Sequence, residues 1–311
     1  ISLDNMKLLD QNIKGNYTEE LKAKLFSKIV GQEEPIEVIC EYYQLYKTGL
    51  ISTTRPIANL LLTGPTGTGK TRLVEAFAES VFGTDRAFIK IDCGEFQHSH
   101  EIAKLVGSPP GYLGHKETHP LLAEARIKQH QTEQNKFTII LFDEIEKASD
   151  SLWNLLLGIL DKGTLTTGDN VLVDMTSCFI LMTSNIGAQR LAQLKAKKDI
   201  GYTHKDKFTT VKDMRNFSLA EVKKKFTPEF INRLDKIIYF RELTDDDYKK
   251  ILDIEIQTLQ DIIMVKTKQN IFVEFSDLCK ENILKKGISK EYGARDLKRI
   301  IDKSVKISIS N

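Results

Sequence analysis

Residues 57–83 constrain the fold of this chain more than any other segment. An apolar run at 57–62 enters the glycine-rich turn GPTGTGKT, and apolar residues recur at helical spacing after it. In a G-x-x-x-x-G-K-T turn, backbone N–H groups curl around a phosphate while the lysine reaches the β and γ oxygens. A chance glycine turn would lack the strand before it and the helix after it. The pattern therefore predicts a strand–loop–helix unit that binds ATP.

The residues of this loop have separable expected roles. Gly67 and Gly69 allow the backbone to follow the phosphates, and Lys70 supplies positive charge. The hydroxyl of Thr71 is placed to ligate Mg²⁺. The predicted nucleotide-binding residues of the loop are Thr66, Gly67, Thr68, Gly69, Lys70 and Thr71.

A second motif, FTIILFDEIEKA at residues 137–148, is typical of a buried strand that ends in two acids. Such a strand delivers Asp143 and Glu144 to the carboxyl edge of a parallel sheet, where ligands of these sheets bind. Asp143 is expected to hold Mg²⁺, and Glu144 to polarise the water that attacks the γ-phosphate. The alternative is that both acids only cap the next helix. The phosphate-loop motif upstream favours the catalytic interpretation.

Three further apolar segments, at 87–96, 177–185 and 236–240, are consistent with strands of the same sheet. Helical patterns lie between these segments, as in a doubly wound α/β domain. The segment at 177–185 ends in Ser184 and Asn185, and polar side chains at that edge would face the γ-phosphate. We predict a doubly wound parallel sheet of five strands.

Composition narrows the functional classes. The 311 residues carry a formal net charge of +2 with both signs mixed along the chain, so nucleic acid is not expected as the main partner. The four cysteines lie far apart, which indicates neither a disulfide framework nor a zinc site and favours a reducing, cytoplasmic location. No apolar segment is long enough to predict a membrane span.

Eight motifs in order resemble the AAA+ module of the Clp family of ATP-driven protein unfoldases and disaggregases. The resemblance is strongest to the C-terminal ring modules of its ClpA, ClpB and ClpC members, and it spans nearly the whole chain from about residue 20. It implies an AAA+ P-loop NTPase with Mg²⁺ and ATP as cofactors. The motifs are IVGQEEPIEVI, GPTGTGKT, GSPPGYLG, FDEIEKA, LLLGILDKGTLT, TSNIGA, FTPEFINRLD and YGARDLKRII.

The resemblance assigns roles to individual residues. It implies that Asn185 is the first sensor, which positions the attacking water and reads the γ-phosphate. It implies that Arg233 is an arginine finger reaching into a neighbouring subunit's site, and that Arg295 is a second sensor on the lid. Ile29 and Val30 correspond to residues that flank adenine. An isolated surface arginine would more often form an ordinary salt bridge.

The segment VGSPPGYLGHKETHP is too rich in proline and glycine for a helix or strand, yet it contains an aromatic residue. The family resemblance implies that this aromatic grips unfolded polypeptide in the central pore of a ring. The alternative is an aromatic that anchors its own loop. The expected pore-loop residues are Gly111, Tyr112, Leu113 and Gly114.

A lysine-rich stretch at residues 194–213 is typical of a surface insertion. It contains Ile200, Gly201 and Tyr202, which resemble the apolar-Gly-apolar tripeptide that docks ClpA and ClpC onto a ring peptidase of the ClpP type. ClpB lacks such a tripeptide. Local packing of Ile200 is the alternative.

The pattern changes after residue 240. Thr244 precedes three aspartates and an amphipathic helical pattern, and residues 271–275 suggest a short strand. We expect an N-terminal extension at 1–19, a large nucleotide-binding domain at 20–240 and a small C-terminal α/β lid domain at 241–311.

Together these features predict an ATP hydrolase that forms a homohexamer and unfolds protein substrates. A disaggregase that works without a peptidase is the nearest alternative. An AAA+ ATPase acting on nucleic-acid complexes should show a basic stripe, which this chain lacks. A nucleotide-binding scaffold without hydrolysis should lack Glu144 or Arg233, and both are present.

Overall fold

A parallel sheet of five strands, in the order β2-β3-β6-β1-β7, forms the centre of the large unit. The computed structural model describes residues 16–108, 120–188, 190, 210–267, 273–288 and 293–306. The predicted five-stranded parallel sheet is confirmed. The seven strands are β1 (Ala58–Thr63), β2 (Ile89–Asp92), β3 (Thr138–Asp143), β4 (Thr164–Thr166), β5 (Leu172–Asp174), β6 (Cys178–Ser184) and β7 (Lys236–Tyr239).

The three central strands are buried along almost their whole length because helices cover both faces of the sheet. Alternate residues of β1 enter different cores. Leu60 and Leu62 pack in the core beneath the first helices, whereas Leu61 packs in the core on the opposite face. This two-sided burial explains why these strands have continuous apolar runs rather than alternating patterns.

Eleven α-helices surround the sheet or form the C-terminal unit within the described residues. The phosphate-loop helix α3 buries Leu73, Val74 and Phe77, as its sequence pattern predicts. The helices are α1 (Asn16–Lys28), α2 (Glu33–Lys47), α3 (Lys70–Phe82), α4 (Ala103–Val106), α5 (Glu124–Lys128), α6 (Asp150–Lys162), α7 (Val211–Lys225), α8 (Pro228–Ile231), α9 (Asp245–Thr267), α10 (Asp277–Gly287) and α11 (Ala294–Ile300). Short 3-10 turns occur at Cys93–Glu95, Ser99–Ile102 and Ile145–Lys147, and a π-helical turn at Ile301–Lys306.

A separate two-stranded hairpin, β4 and β5, was not expected from the sequence. Its turn meets the end of α4, where the Gly168 N–H donates to the Val106 carbonyl at 2.8 Å. A Cβ on Gly168 would lie 2.6 Å from the carbonyl oxygen of Gly107, so only glycine allows this approach. The hairpin therefore supports the described residues that precede segment 109–119.

The C-terminal unit has a helical core of its own, formed by α9, α10 and α11. Helix α9 begins where the sequence predicts, because the Thr244 hydroxyl accepts from the Asp247 N–H at 3.3 Å. The strand expected at 271–275 is not seen: residues 273–275 are not in strand conformation, and residues 271 and 272 lie outside the described part of the chain. The described part of this unit is helical rather than α/β.

All four cysteines are free thiols, as their spacing predicts. Burial raises the pKa of Cys40 to about 11 and of Cys178 to about 12. Among the described residues, no helix has the length and apolar character needed to cross a membrane.

Candidate active site

The phosphate loop joins the carboxyl end of β1 to the first residue of α3. Gly64 has φ +143°, and a Cβ there would lie 2.4 Å from the carbonyl oxygen of Phe240, so a neighbouring chain segment fixes this glycine. Gly69 has φ +100° with open space around it, so backbone conformation alone requires glycine at the start of α3. The loop is therefore shaped as the motif predicts, with a helix N-terminus beneath it.

Lys70 is buried beneath this loop. Its ammonium donates to the carbonyl oxygens of Gly64 and Pro65, both at 2.7 Å, and to Asn185 Oδ1 at 2.8 Å. Burial lowers the pKa of Lys70 to about 7, an effect that the nearby carboxylates of Glu146, Asp143 and Glu144 oppose and the Arg295 guanidinium adds to. A phosphate anion beside Lys70 would add negative charge and so favour its charged form.

Asn185 links the phosphate loop to the acids at the end of β3. Its amide accepts from Lys70, and its Nδ2 donates to Glu144 Oε1 at 3.2 Å. The backbone N–H of Asn185 donates to Glu146 Oε1 at 2.9 Å. Lys70, Asn185 and Glu144, predicted from three separate motifs, thus form one hydrogen-bonded chain.

Thr183 positions both acids of the β3 motif. Its hydroxyl donates to Asp143 Oδ1 at 2.5 Å and accepts from the Glu144 N–H at 2.9 Å. Glu144 has φ +56°, a left-handed conformation that is uncommon for a residue with a side chain. Backbone strain of this kind persists only where surrounding contacts impose it, and Thr183 supplies one of those contacts.

Two lysines pair with the acids. Lys90 Nζ lies 2.9 Å from Asp143 Oδ2, and Lys147 Nζ lies 2.5 Å from Glu144 Oε2. The hydrogen bond to Glu144 raises the pKa of Lys147. Each acid is therefore paired with a lysine at the edge of the phosphate loop.

The donor set fits the expected magnesium ion. Thr71 lies in the first turn of α3, and Asp143 ends β3 at the same edge of the sheet. Mg²⁺ usually takes one or two protein oxygens and completes its shell with water and phosphate oxygens, and Thr71 and Asp143 supply two such oxygens. Bound there, Mg²⁺ would neutralise charge on the phosphates.

The C-terminal unit contacts the phosphate loop directly. The Ala294 N–H, at the start of α11, donates to the Gly67 carbonyl at 3.2 Å. A Cβ on Gly293 would lie 2.9 Å from the carbonyl oxygens of Thr66 and Gly67. Arg295 follows this contact and its side chain is exposed. This arrangement places the predicted second sensor beside the phosphate loop of its own chain.

Ile29 and Val30, the residues predicted to flank adenine, follow the end of α1. Ile29 is buried in the sheet core and Val30 is half-buried. Gln32, two residues after Val30, donates from its side-chain amide to the Thr68 carbonyl at 3.2 Å. The segment therefore lies against the phosphate loop, and Gln32 is a contact that the sequence interpretation missed.

Arg233 lies at the opposite edge of the sheet. Its carbonyl accepts from Arg55 Nη2 at 2.8 Å and from Asn59 Nδ2 at 3.3 Å, at the amino end of β1. The phosphate loop follows the carboxyl end of this six-residue strand, and six residues of strand span roughly 20 Å. The guanidinium contacts Glu229 instead, with Nη2 3.1 Å from Oε1. The structure does not bring Arg233 together with the other site residues of the same chain.

Two groups of predicted residues lie outside the described part of the chain. They are Gly111, Tyr112, Leu113 and Gly114 of the pore loop, and Ile200, Gly201 and Tyr202 of the docking tripeptide. The described residues flanking segment 109–119 are held together, because the N–H groups of Leu121 and Leu122 donate to the carbonyls of Lys104 and Leu105, both at 3.0 Å. The segment therefore begins and ends at one place on the large unit.

Comparison with known proteins agrees with this geometry. Residues 55–237 match the profile of the AAA domain (Cdc48 subfamily), and residues 243–311 match that of the C-terminal, D2-small domain of ClpB protein. The chain belongs to the Clp-type AAA+ ATPases. The resemblance inferred from the eight motifs is confirmed, and with it membership of an ATP-hydrolysing family.

Curated relatives of this Clp-type chain include two ClpC proteins. It is 38% identical over 290 residues to the ATP-dependent Clp protease ATP-binding subunit ClpC of Staphylococcus epidermidis, covering 93% of this chain and 34% of the relative. It is 37% identical over 287 residues to the negative regulator of genetic competence ClpC/MecB of Bacillus subtilis, covering 92% and 34%. The chain thus spans about a third of the length of these relatives.

Two solved structures of Hsp104 are also similar. One is a closed-state reconstruction of Hsp104 with ATPγS and FITC casein, with a TM-score of 0.77, 28% identity, and coverage of 96% of this chain and 49% of that one. The other is an extended Saccharomyces cerevisiae Hsp104:casein complex, with a TM-score of 0.80, 26% identity, and coverage of 96% and 48%. Both similarities extend over the large and the C-terminal unit of this Clp-type chain.

Proposed function

We propose that this chain is the motor module of an ATP-driven protein unfoldase. It hydrolyses ATP at sites shared between neighbouring subunits of a homohexameric ring. The Tyr112 loop then pulls polypeptide through the central pore. The observation that carries this proposal is the separation of Arg233 from a site that is otherwise assembled within one chain.

The assembled part of the site supplies nucleotide binding and a base. Lys70 and the N–H groups of residues 66–71 bind the phosphates, with Mg²⁺ held by Thr71 and Asp143. Glu144 accepts a proton from the attacking water while Asn185 fixes that water against the γ-phosphate. Ile29 and Val30 pack against adenine, and Arg295 contacts the γ-phosphate from the lid.

The remaining group is expected from a second copy. An arginine placed on developing phosphoryl charge contributes on the order of 10³ to 10⁵ in rate. Arg233 of one subunit fits this role only for a neighbour's nucleotide, because its own phosphate loop lies at the other edge of the sheet. Hydrolysis is then conditional on ring assembly.

The pore-loop role of Tyr112 has two supports. The described residues on the two sides of segment 109–119 are hydrogen-bonded to each other on the large unit. The Hsp104 structures that this chain resembles were determined with casein. An aromatic ring packs against side chains and backbone of many sequences, which suits a grip on varied substrates.

An unfolding assay tests this role, with a fluorescent protein as the substrate and the loss of its fluorescence as the measure of unfolding. Tyr112→Ala should hydrolyse ATP at a rate within about twofold of the unchanged chain, because the aromatic touches substrate and not nucleotide. Its unfolding rate should fall by roughly tenfold or more. Tyr112→Phe keeps the ring and is the matched control. Unimpaired unfolding by Tyr112→Ala would remove the loop from the mechanism.

The second candidate function is unfolding in complex with a peptidase partner of the ClpP type, which the similarity to ClpC proteins favours. The similarity to Hsp104 favours the alternative, unfolding without a peptidase. Gly201→Trp should abolish binding to a ClpP-type ring if residues 200–202 dock there, since a bulky side chain would not enter a small cleft. Equal binding by the variant and the unchanged chain would favour the peptidase-independent alternative.

A further inference from the structure

Gln32 is a buried polar residue whose hydrogen bonds join two distant segments. Its side chain is 2% exposed. Nε2 donates to the Thr68 carbonyl at 3.2 Å and to the Arg241 carbonyl at 3.1 Å, and Oε1 accepts from the Arg241 N–H at 3.2 Å. One amide therefore joins the phosphate loop to the chain that leads into α9.

The contact with Thr68 determines how the loop meets phosphate. The Thr68 carbonyl and the Gly69 N–H belong to one planar trans peptide, in which these two groups point in opposite directions. Gly69 has φ +100°, and a Cβ there would meet no atom within 4 Å, so no side-chain packing at this position orients the loop. Because Gln32 bonds the Thr68 oxygen, it also fixes the direction of the Gly69 N–H, which points the opposite way.

The contact with Arg241 leads into the first turn of α9. The Arg241 guanidinium pairs with Asp247 through two hydrogen bonds, at 2.6 and 3.2 Å. Asp247 Oδ2 also accepts from the Thr244 N–H and hydroxyl, both at 2.8 Å. The pair therefore fixes the start of the C-terminal unit to the segment that Gln32 holds.

Gly31 leaves the space that this arrangement needs. It has φ +72°, and a Cβ there would lie 2.8 Å from Arg241 Nη2 and 2.9 Å from Asp247 Oδ1. The ion pair thus packs directly on the backbone beside Gln32. Four segments of the chain, at residues 31–32, 68, 241 and 247, meet in one buried polar cluster.

We propose that Gln32 is a positioning residue that orients the phosphate loop and transmits changes in that loop to the first turn of α9. A turn of the Thr68 peptide on phosphate binding would shift its hydrogen bond to Gln32, which also bonds the Arg241 backbone. The cluster therefore links nucleotide occupancy to the orientation of the C-terminal unit. This inference rests on the nucleotide-binding part of the proposed function and is independent of the substrate.

Binding of fluorescent ADP and ATPγS tests the orienting role. Gln32→Met keeps the volume but leaves the Thr68 carbonyl unpaired, and it should weaken both nucleotides by the same factor, roughly tenfold. Gln44→Met, at an exposed glutamine on α2, the helix that follows Gln32, should bind as the unchanged chain does. Unchanged affinity in a folded Gln32→Met protein would overturn the proposal. Gln32→Glu keeps the acceptor for the Arg241 N–H but loses the donor to the Thr68 carbonyl. It should weaken nucleotide binding at least as much as Gln32→Met does, and it replaces Gln32→Met in this test if that variant does not fold.

A double-mutant cycle tests transmission through Gln32. Asp247→Asn weakens the hold on Arg241, so it should lower nucleotide affinity several-fold in the unchanged chain and add nothing in the Gln32→Met background. Equal losses in both backgrounds, or no loss in either, would contradict the transmission. Lys70→Ala should abolish binding irrespective of Gln32. If Lys70→Ala binds nucleotide normally, the proposed nucleotide site itself is wrong. If Lys70→Ala loses nucleotide binding but Gln32→Met binds normally, only the proposed role of Gln32 is wrong.

Discussion

At the scale of single residues, the candidate site includes side chains to which the motifs assigned no role. Lys70, Asp143 and Glu144 were identifiable from the sequence because each stands at a fixed place in a short pattern. Thr183 and Gln32 lie in the motifs TSNIGA and IVGQEEPIEVI, but their roles were not identifiable, since these come from contacts across 40 and 36 residues of sequence. Only the folded chain brings these residues together.

Thr183 gives a prediction at this scale. Thr183→Val keeps the shape of a buried side chain but removes the hydroxyl that orients Asp143 and the Glu144 N–H. We expect the turnover number to fall by roughly tenfold or more while nucleotide affinity changes much less, because Lys70 and the loop N–H groups remain.

Steady-state hydrolysis and nucleotide titration together check this expectation. Thr183→Ser keeps the hydroxyl and should retain most of the activity. A Thr183→Val protein with normal turnover would show that the strained backbone at Glu144 does not need this contact.

At the scale of elements, the strands next to the phosphate loop were predictable because two-sided burial gives continuous apolar runs. The hairpin of β4 and β5 was not, since three-residue strands carry too few alternating positions for a pattern. The prediction of a lid strand at 271–275 was wrong at residues 273–275, which are not in strand conformation. The prediction relied on the β-branched and aromatic residues of this segment, which have a preference for strands but here pack beside helices.

The start of α9 gives a prediction at this scale. Burial alone would raise the pKa of Asp247, but hydrogen bonds from Arg241 and Thr244 outweigh it and lower this pKa below the ordinary 3.8. Asp247→Asn loses the charge that caps the helix and pairs with Arg241. We expect the free energy of unfolding at neutral pH to fall by about 1–3 kcal/mol.

The pH dependence gives this prediction its sign. A carboxyl with a lowered folded-state pKa contributes stability that is complete above its unfolded pKa and is lost as pH falls through the folded value. The difference between the unchanged chain and Asp247→Asn should therefore be constant near neutrality and shrink below about pH 4. Urea unfolding across this range measures it, with Asp246→Asn as an exposed neighbouring control. A difference that stays the same at acid pH would mean that the charge of Asp247 is not what stabilises α9.

At the scale of the whole molecule, the groups proposed for one catalytic centre lie at two edges of the sheet. Lys70, Asn185 and Glu144 lie at the carboxyl edge of the sheet, and Arg233 lies at the amino edge. The account therefore requires a second copy whose Arg233 completes the site, as the Clp-type motifs also imply. This requirement separates a ring ATPase from an enzyme that works as a monomer.

Mixing two inactive variants tests this requirement most directly. Glu144→Gln lacks the base but keeps Arg233, and Arg233→Ala lacks the finger but keeps an intact site. Each alone should hydrolyse ATP at roughly a hundredth of the normal rate or less. Their equimolar mixture should regain a substantial fraction of normal ATPase activity, because Arg233 of one variant completes the site of the other. A mixture no more active than the mean of its two components, from proteins shown to assemble, would contradict the shared site.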